Sequence, residues 1–177
     1  MSHRLFVALT PPQSARDALI DTMEGMDAAR WQADEQLHIT LRFVGEVDTP
    51  VANDLAAALG MIGMKDFPVT IASVGHFARR DRAKAIWAAI TPSPQLSELQ
   101  HKVERACRAV GLPPETRRFL PHVTLARLSG TTHIAEWLDR HARIRLDPFM
   151  AGAFTLYEST LGKAGSRYDP VVRYPLG

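Results

Sequence analysis

Two short segments carry the residue types best suited to do chemistry, LHITLRFVG at 37–45 and PHVTLARLS at 121–129. Each presents a histidine, a branched apolar residue, a threonine and a leucine in succession. The histidines, His38 and His122, lie 84 residues apart (122 − 38), about half of the 177-residue chain. A single His-x-Thr triplet arises readily by chance in a chain with 7 histidines. Two copies that share the apolar middle residue and the following leucine do not. Side chains alternate along a strand, so a His and a Thr two positions apart project from one face. In the first segment that face carries His38, Thr40 and Arg42, and Leu37, Ile39, Leu41 and Phe43 fall on the other. Side by side, the two strands would bring two imidazoles and two hydroxyls to a shared cleft.

Such a set suits in-line displacement at phosphorus. One group must take a proton from the attacking oxygen while another protonates the departing oxygen on the far side. Imidazole, with an ordinary pKa near 6.5, serves either role near neutral pH. The hydroxyls of Thr40 and Thr124 can donate hydrogen bonds to the non-bridging phosphoryl oxygens, where negative charge is held.

The elements that must position these groups follow from periodicity and turn chemistry. Leu5, Val7 and Leu9 alternate in an opening strand. Pro11 and Pro12 suit a helix start, and Ala15, Leu19, Met23 and Met26 extend that helix to about Asp27. After the Leu37–Val44 strand, Asp48 can cap a helix whose stripe is Val51, Leu55, Leu59 and Ile62. Strands are expected near 67–77 and 84–91. Ser93 and Pro94 then begin a helix carrying Leu96, Leu99, Val103, Cys107 and Val110, which Gly111 stops. A strand over 120–128, a short helix from Thr131 to about His141, a strand over 146–159 and a last strand near 171–174 complete the order. The fold class is α+β: a bilobal, pseudo-symmetric pair of antiparallel sheets with outer helices and a central concave cleft. No linker divides the chain, so residues 1–177 are expected to form a single bilobal domain.

Composition bounds the function classes. With 46% hydrophobic residues the chain can bury a real core. No apolar run approaches the roughly 18 residues that a membrane-spanning helix needs, and the start lacks a leader pattern, so a cytoplasmic monomer without membrane contact is expected. A single cysteine, Cys107, excludes an internal disulfide and reads as a buried structural thiol. The net charge of +2 does not by itself demand nucleic acid. Local clusters, Arg79, Arg80, Arg82 and Lys84 in one stretch and Arg117 and Arg118 in another, gain meaning only beside a site that handles phosphate.

At this point the sequence resembles the two-histidine phosphoesterases, and within them the bacterial and archaeal RNA 2',3'-cyclic phosphodiesterases, also called 2'-5' RNA ligase-like proteins. The resemblance runs through RLFVAL, Trp31 ahead of LHITLRFVGEV, GHFARRDRAKAIWAAI, RRFLPHVTLAR and LYESTLGKAGSRYDPVVRYPL. It implies hydrolysis of a ribonucleoside 2',3'-cyclic phosphate to a 2'-phosphomonoester, without metal or cofactor. It further implies that His38 is the proton donor to the departing 3' oxygen, that His122 is the acceptor from water, and that Thr40 and Thr124 bind phosphate. Microscopic reversibility would let the same site join 2'-5' linked ends. The residue five positions after each histidine also matters in this family, here Phe43, which could stack on a base, and Arg127, which could hold phosphate. Strand alternation puts both on the face opposite the histidines unless a bulge intervenes.

Two other classes compete. Zinc chemistry would need three or four ligands, but the chain has no cysteine pair or His-Glu-x-x-His helix; His133 and His141, eight apart on the short helix, are expected to be exposed. An RNA-end binding module could use the same cleft without turnover, but binding alone needs no pair of titratable groups. The segment LGKAGSR lacks phosphate-loop spacing and reads as a connection between strands.

Overall fold

The computed structural model describes residues 1–129 and 133–177. In chain order the elements are β1 (Ser2–Leu9), α1 (Gln13–Ile20), β2 (Ala29–Trp31), a 3-10 turn (Asp34–Gln36), β3 (Ile39–Asp48), α2 (Thr49–Gly60), β4 (Phe67–Val69), β5 (Ile71–Arg79), β6 (Arg82–Ile90), α3 (Pro94–Ala109), β7 (His122–Leu128), α4 (Ala135–His141), β8 (Phe149–Ala151), β9 (Ala153–Gly162) and β10 (Gly165–Pro175). Local chemistry sets several of these boundaries. The Asp48 carboxylate accepts from the Val51 N–H at 3.0 Å and Ser93 Oγ from the Leu96 N–H at 3.1 Å, capping α2 and α3. Gly111 takes φ +90° just beyond α3, where a side chain would strain the turn.

The main sheet runs β10-β9-β1-β3-β7-β6-β5, with β2 paired to β7, and every pair is antiparallel. It consists of two half-sheets, β10-β9-β1-β3 and β7-β6-β5, that touch at one registered pair among the described residues, Ile39 opposite Val123. Ile39, Leu41, Val123 and Leu125 point into one core shared with Leu55 and Leu59 of α2 and Leu99 and Val103 of α3. The helices therefore cover one face of the seam and leave the other to the polar side chains of β3 and β7. This is the α+β arrangement expected from the pattern.

Several sequence expectations need correction. The first helix ends at Ile20, not near Asp27, because tight turns take over: the Thr22 hydroxyl donates to the Leu19 carbonyl and Gly25 adopts φ +82°. Met26 is still buried, because the chain folds back over the core. The 67–77 stretch is two strands, and the 146–159 stretch is likewise split. β4 and β8 leave the main sheet to pair with each other as a separate two-stranded sheet. On α4, Trp137 is the buried residue, its indole N–H donating to the Thr22 carbonyl at 2.8 Å. His133 precedes this helix and does not share it with His141, and the proposed start at Thr131 lies outside the described residues. The last strand is longer than expected and pairs along β9; of LGKAGSR only Lys163 and Ala164 form the turn, and the other residues belong to the two strands.

Candidate active site

The register Ile39–Val123 is antiparallel, so continuing it by one residue each way sets His38 across from Thr124 and Thr40 across from His122. Opposed side chains lie about 5 Å apart and diagonal ones about 7–8 Å. The two imidazoles therefore stand diagonally across the seam, with a hydroxyl beside each.

Both strands then break their alternation at the same place. In β3, Thr40 pairs with Ala8 and Arg42 with Val7, which leaves Leu41 as an extra residue. In β7, Thr124 pairs with Trp87 and Ala126 with Ile86, which leaves Leu125 as the extra one. Leu41 and Leu125 each lie three residues after their histidine, so the two bulges are equivalent. After each bulge, two successive residues point inward: Leu41 with Arg42, and Leu125 with Ala126, are all buried. The following residues, Phe43 and Arg127, consequently return to the histidine face. Simple alternation had placed them on the opposite face and had placed Arg42 beside the histidines. Arg42 instead lies in the core, its Nε 3.2 Å from the Glu104 carboxylate. Phe43 pairs with Phe6, whose ring touches His38.

The imidazoles are held alike. His38 Nδ1–H donates to the Gln36 carbonyl and His122 Nδ1–H to the Leu120 carbonyl, each at 2.7 Å and each two residues back. Because a carbonyl only accepts, these bonds fix the proton on Nδ1 and leave Nε2 as the reactive nitrogen of the neutral ring. His38 Nε2 accepts from the Thr40 hydroxyl at 2.9 Å. Burial drives the His38 pKa from 6.5 down to about 4; the charges of His122 and Arg127 act the same way, and the Gln36 carbonyl opposes them. His122 is lowered too, first by burial and then by Arg127, against the Leu120 carbonyl. Arg127 thus acts electrostatically on both rings.

Aromatic side chains that the sequence reading did not single out fix each ring. His38 packs on Phe6 (4.8 Å between centroids) and edge-on to Tyr168 (5.2 Å). His122 meets Phe77 edge-on (5.0 Å) and Trp87 (5.7 Å). Gly75, opposite Trp87 in the β5–β6 ladder, permits this: a Cβ there would come within 2.3 Å of the indole. The strands of Phe6, Phe77 and Trp87 were legible from sequence, that of Tyr168 was not, and only cross-strand pairing reveals that all four share the histidine face.

A cavity of about 320 Å³ lies next to His38, lined by its neighbours Gln36 and Tyr168 together with Arg30, Arg127 and the β9–β10 turn, and neither histidine lines it. Arg30 and Arg127 face each other directly across β2 and β7. Like charges so placed repel, and an anion between them would offset the cost. Among the described residues, no three His, Cys, Asp or Glu side chains group as a metal site. Cys107 is fully buried and its thiol is pushed up to about 11, chiefly by burial, which suits a structural role. No helix of the described residues is long and apolar enough to cross a membrane.

Known proteins share this sequence pattern and fold. The RNA 2',3'-cyclic phosphodiesterase of Aeropyrum pernix is 32% identical over 139 residues, covering 76% of this chain and 79% of that protein. The protein of the same name from Escherichia coli is 27% identical, covering 98% and 96%. A crystal structure of E. coli LigT complexed with 3'-AMP superposes with a TM-score of 0.80 at 26% identity, covering 99% of each chain. TT0787 of Thermus thermophilus, at 23% identity, shares the fold with a TM-score of 0.83 and covers 97% of each chain. Because the sequence model of the 2'-5' RNA ligase superfamily matches residues 10–162, the chain belongs to that superfamily.

Proposed function

We propose that this chain is an RNA 2',3'-cyclic phosphodiesterase that works as one bilobal domain over residues 1–177 and opens the cyclic ester to a 2'-phosphomonoester. The observation that carries the reading is the matched anchoring of His38 and His122, each with Nδ1 committed to a carbonyl two residues back, so that Nε2, which in His38 accepts from Thr40, is the nitrogen that exchanges the proton. In the reaction, water attacks phosphorus and gives a proton to Nε2 of His122. The P–O3' bond breaks, and the 3' oxygen takes a proton from Nε2 of His38. Thr40 and Thr124 donate to the non-bridging oxygens, and Arg127 holds the charge that grows there.

The ring that acts as acid must be protonated, whereas His38 in the unliganded site favours the neutral form. A bound phosphate brings the missing negative charge. It offsets Arg127 and His122 and raises the His38 pKa towards the working range. The terminal nucleoside fits the cavity beside Tyr168, Gln36 and Arg30, and Phe43 stands on the same face for a base to stack on. The reverse reaction, 2'-5' joining, uses the same groups, and excess water favours hydrolysis.

Phosphorus NMR of 2',3'-cyclic AMP incubated with the protein and excess chelator tests the reading. The expected product is the 2'-monophosphate alone. A 3'-monophosphate would overturn the polarity, and tight binding without turnover would favour an RNA-end binding module.

A further inference from the structure

The β5–β6 hairpin begins level with the active site and extends beyond it. Phe77, at its base, lies against His122, and its partner Ala85 pairs in turn with Arg127. Arg79 is two residues further along the strand on the face of Phe77, about 7 Å of rise away. It pairs directly with Arg82, and Lys84 is the extra residue of a bulge between them and the site. Arg79, Arg80, Arg82 and Lys84 alone line an open concavity of about 660 Å³ at the tip. Four cations less Asp81 leave +3 in six residues, more than the +2 of the whole chain.

Two features indicate that this charge is displayed for a ligand. None of the four cations joins an ion pair among the described residues, in contrast to Arg117, which Glu115 holds at 3.3 Å. The two-residue turn is also made of Arg80 and Asp81, with φ of 52° and 61°. Such turns favour Asn-Gly, because both residues adopt the left-handed region. Here an arginine occupies one of those strained positions.

We infer that the β5–β6 hairpin is a clamp for the RNA strand 5' to the cyclic phosphate, binding its backbone phosphates through Arg79, Arg80, Arg82 and Lys84 in continuation of Arg127. This rests on the proposed reaction and narrows its substrate class to polynucleotide ends, with mononucleotides turned over but not gripped. Backbone contacts of this kind carry no base preference and weaken with salt.

The test uses the triple variant Arg79→Gln, Arg82→Gln, Lys84→Gln, which leaves the turn and the residues around the imidazoles in place. For a ten-nucleotide RNA with a 2',3'-cyclic end, kcat/KM should fall about tenfold or more at low salt. Its logarithmic salt dependence should flatten by about 2, the value for three phosphate contacts on a single strand. For 2',3'-cyclic AMP it should stay within about twofold. Equal losses on both substrates, or none on the oligonucleotide, would overturn the clamp. Fluorescence anisotropy with the same RNA separates the two ideas: weaker binding by the variant supports the clamp even if neither protein shows turnover, and unchanged binding refutes it.

Discussion

The two strands that meet at the seam, β3 and β7, are close structural copies with unequal surroundings. Each has histidine, threonine and a bulge at the same spacing, with His38 just ahead of β3 and His122 opening β7, and each imidazole is anchored to a carbonyl two residues back. They differ in what stands behind and around them. The inward residue after the bulge is Arg42 in β3, locked to Glu104 of α3, and the small Ala126 in β7. His38 is driven down to about 4, whereas the shift at His122 is smaller and has one fewer positive neighbour behind it. Symmetry of the backbone therefore supplies two interchangeable imidazoles, and burial and charge make them unequal. In the empty site that inequality leaves His38 the harder ring to protonate, so the acid role proposed for it requires the bound phosphate to raise its pKa.

The comparison breaks most sharply if the rings serve separate sites. His38→Ala and His122→Ala should each lower kcat by about 10² to 10⁴. The double variant should lose little more than the worse single one, since groups acting on one step are non-additive. Losses that multiply in kcat assays would contradict a shared phosphate. Next in size is the anchor that β7 lacks. Arg42→Ala copies Ala126 into β3 and leaves the buried Glu104 with only Arg108 and the Glu115 N–H, and urea unfolding should show a loss of about 3 kcal/mol. A loss below about 1 kcal/mol, the worth of an exposed pair, would show that the pair does not secure β3.

Smaller effects sharpen the comparison from the β7 side. Gly75→Ala should displace Trp87 and tilt His122, reducing kcat about 10- to 100-fold with the circular dichroism spectrum unchanged. Unchanged kcat would mean that Trp87 does not position the ring. The pH dependence of kcat/KM for 2',3'-cyclic AMP should be bell-shaped, with its limbs set by the pair in the free enzyme, one near pH 4 and one below 6.5. Activity should therefore fall as pH rises from 6 to 8, and a profile still climbing at pH 8 would refute the lowered values.

Stability carries the same signature. The folded pKa of His38 is depressed, so between pH 6.5 and about 4 the unfolded chain binds more protons than the native one. The stability present above 6.5 is lost as pH falls through that window. His38→Asn should narrow the gap in Tm between pH 7 and pH 4.5. A gap as wide as in the parent protein would place the acid sensitivity elsewhere.

The amino-acid order alone determined much of this. The spacing of His38, Thr40, His122 and Thr124 is fixed by covalent sequence and strand period, and caps such as Asp48 and Ser93 act on the next turn of chain, so local chemistry sufficed for both. The end of α1 was misread because a periodic apolar pattern continued through turns made by Thr22 and Gly25. The face occupied by Phe43, Arg42 and Arg127 was beyond the reach of the sequence. A bulge exists only as a mismatch in residue count between paired strands, and that mismatch belongs to neither strand alone. For the same reason Phe6, Tyr168, Phe77 and Trp87 became parts of the site only when β1, β10, β5 and β6 were set in register around the seam. The charge states of the imidazoles were likewise decided by tertiary structure, because desolvation and the approach of Arg127 depend on distances through space that no spacing along the chain encodes.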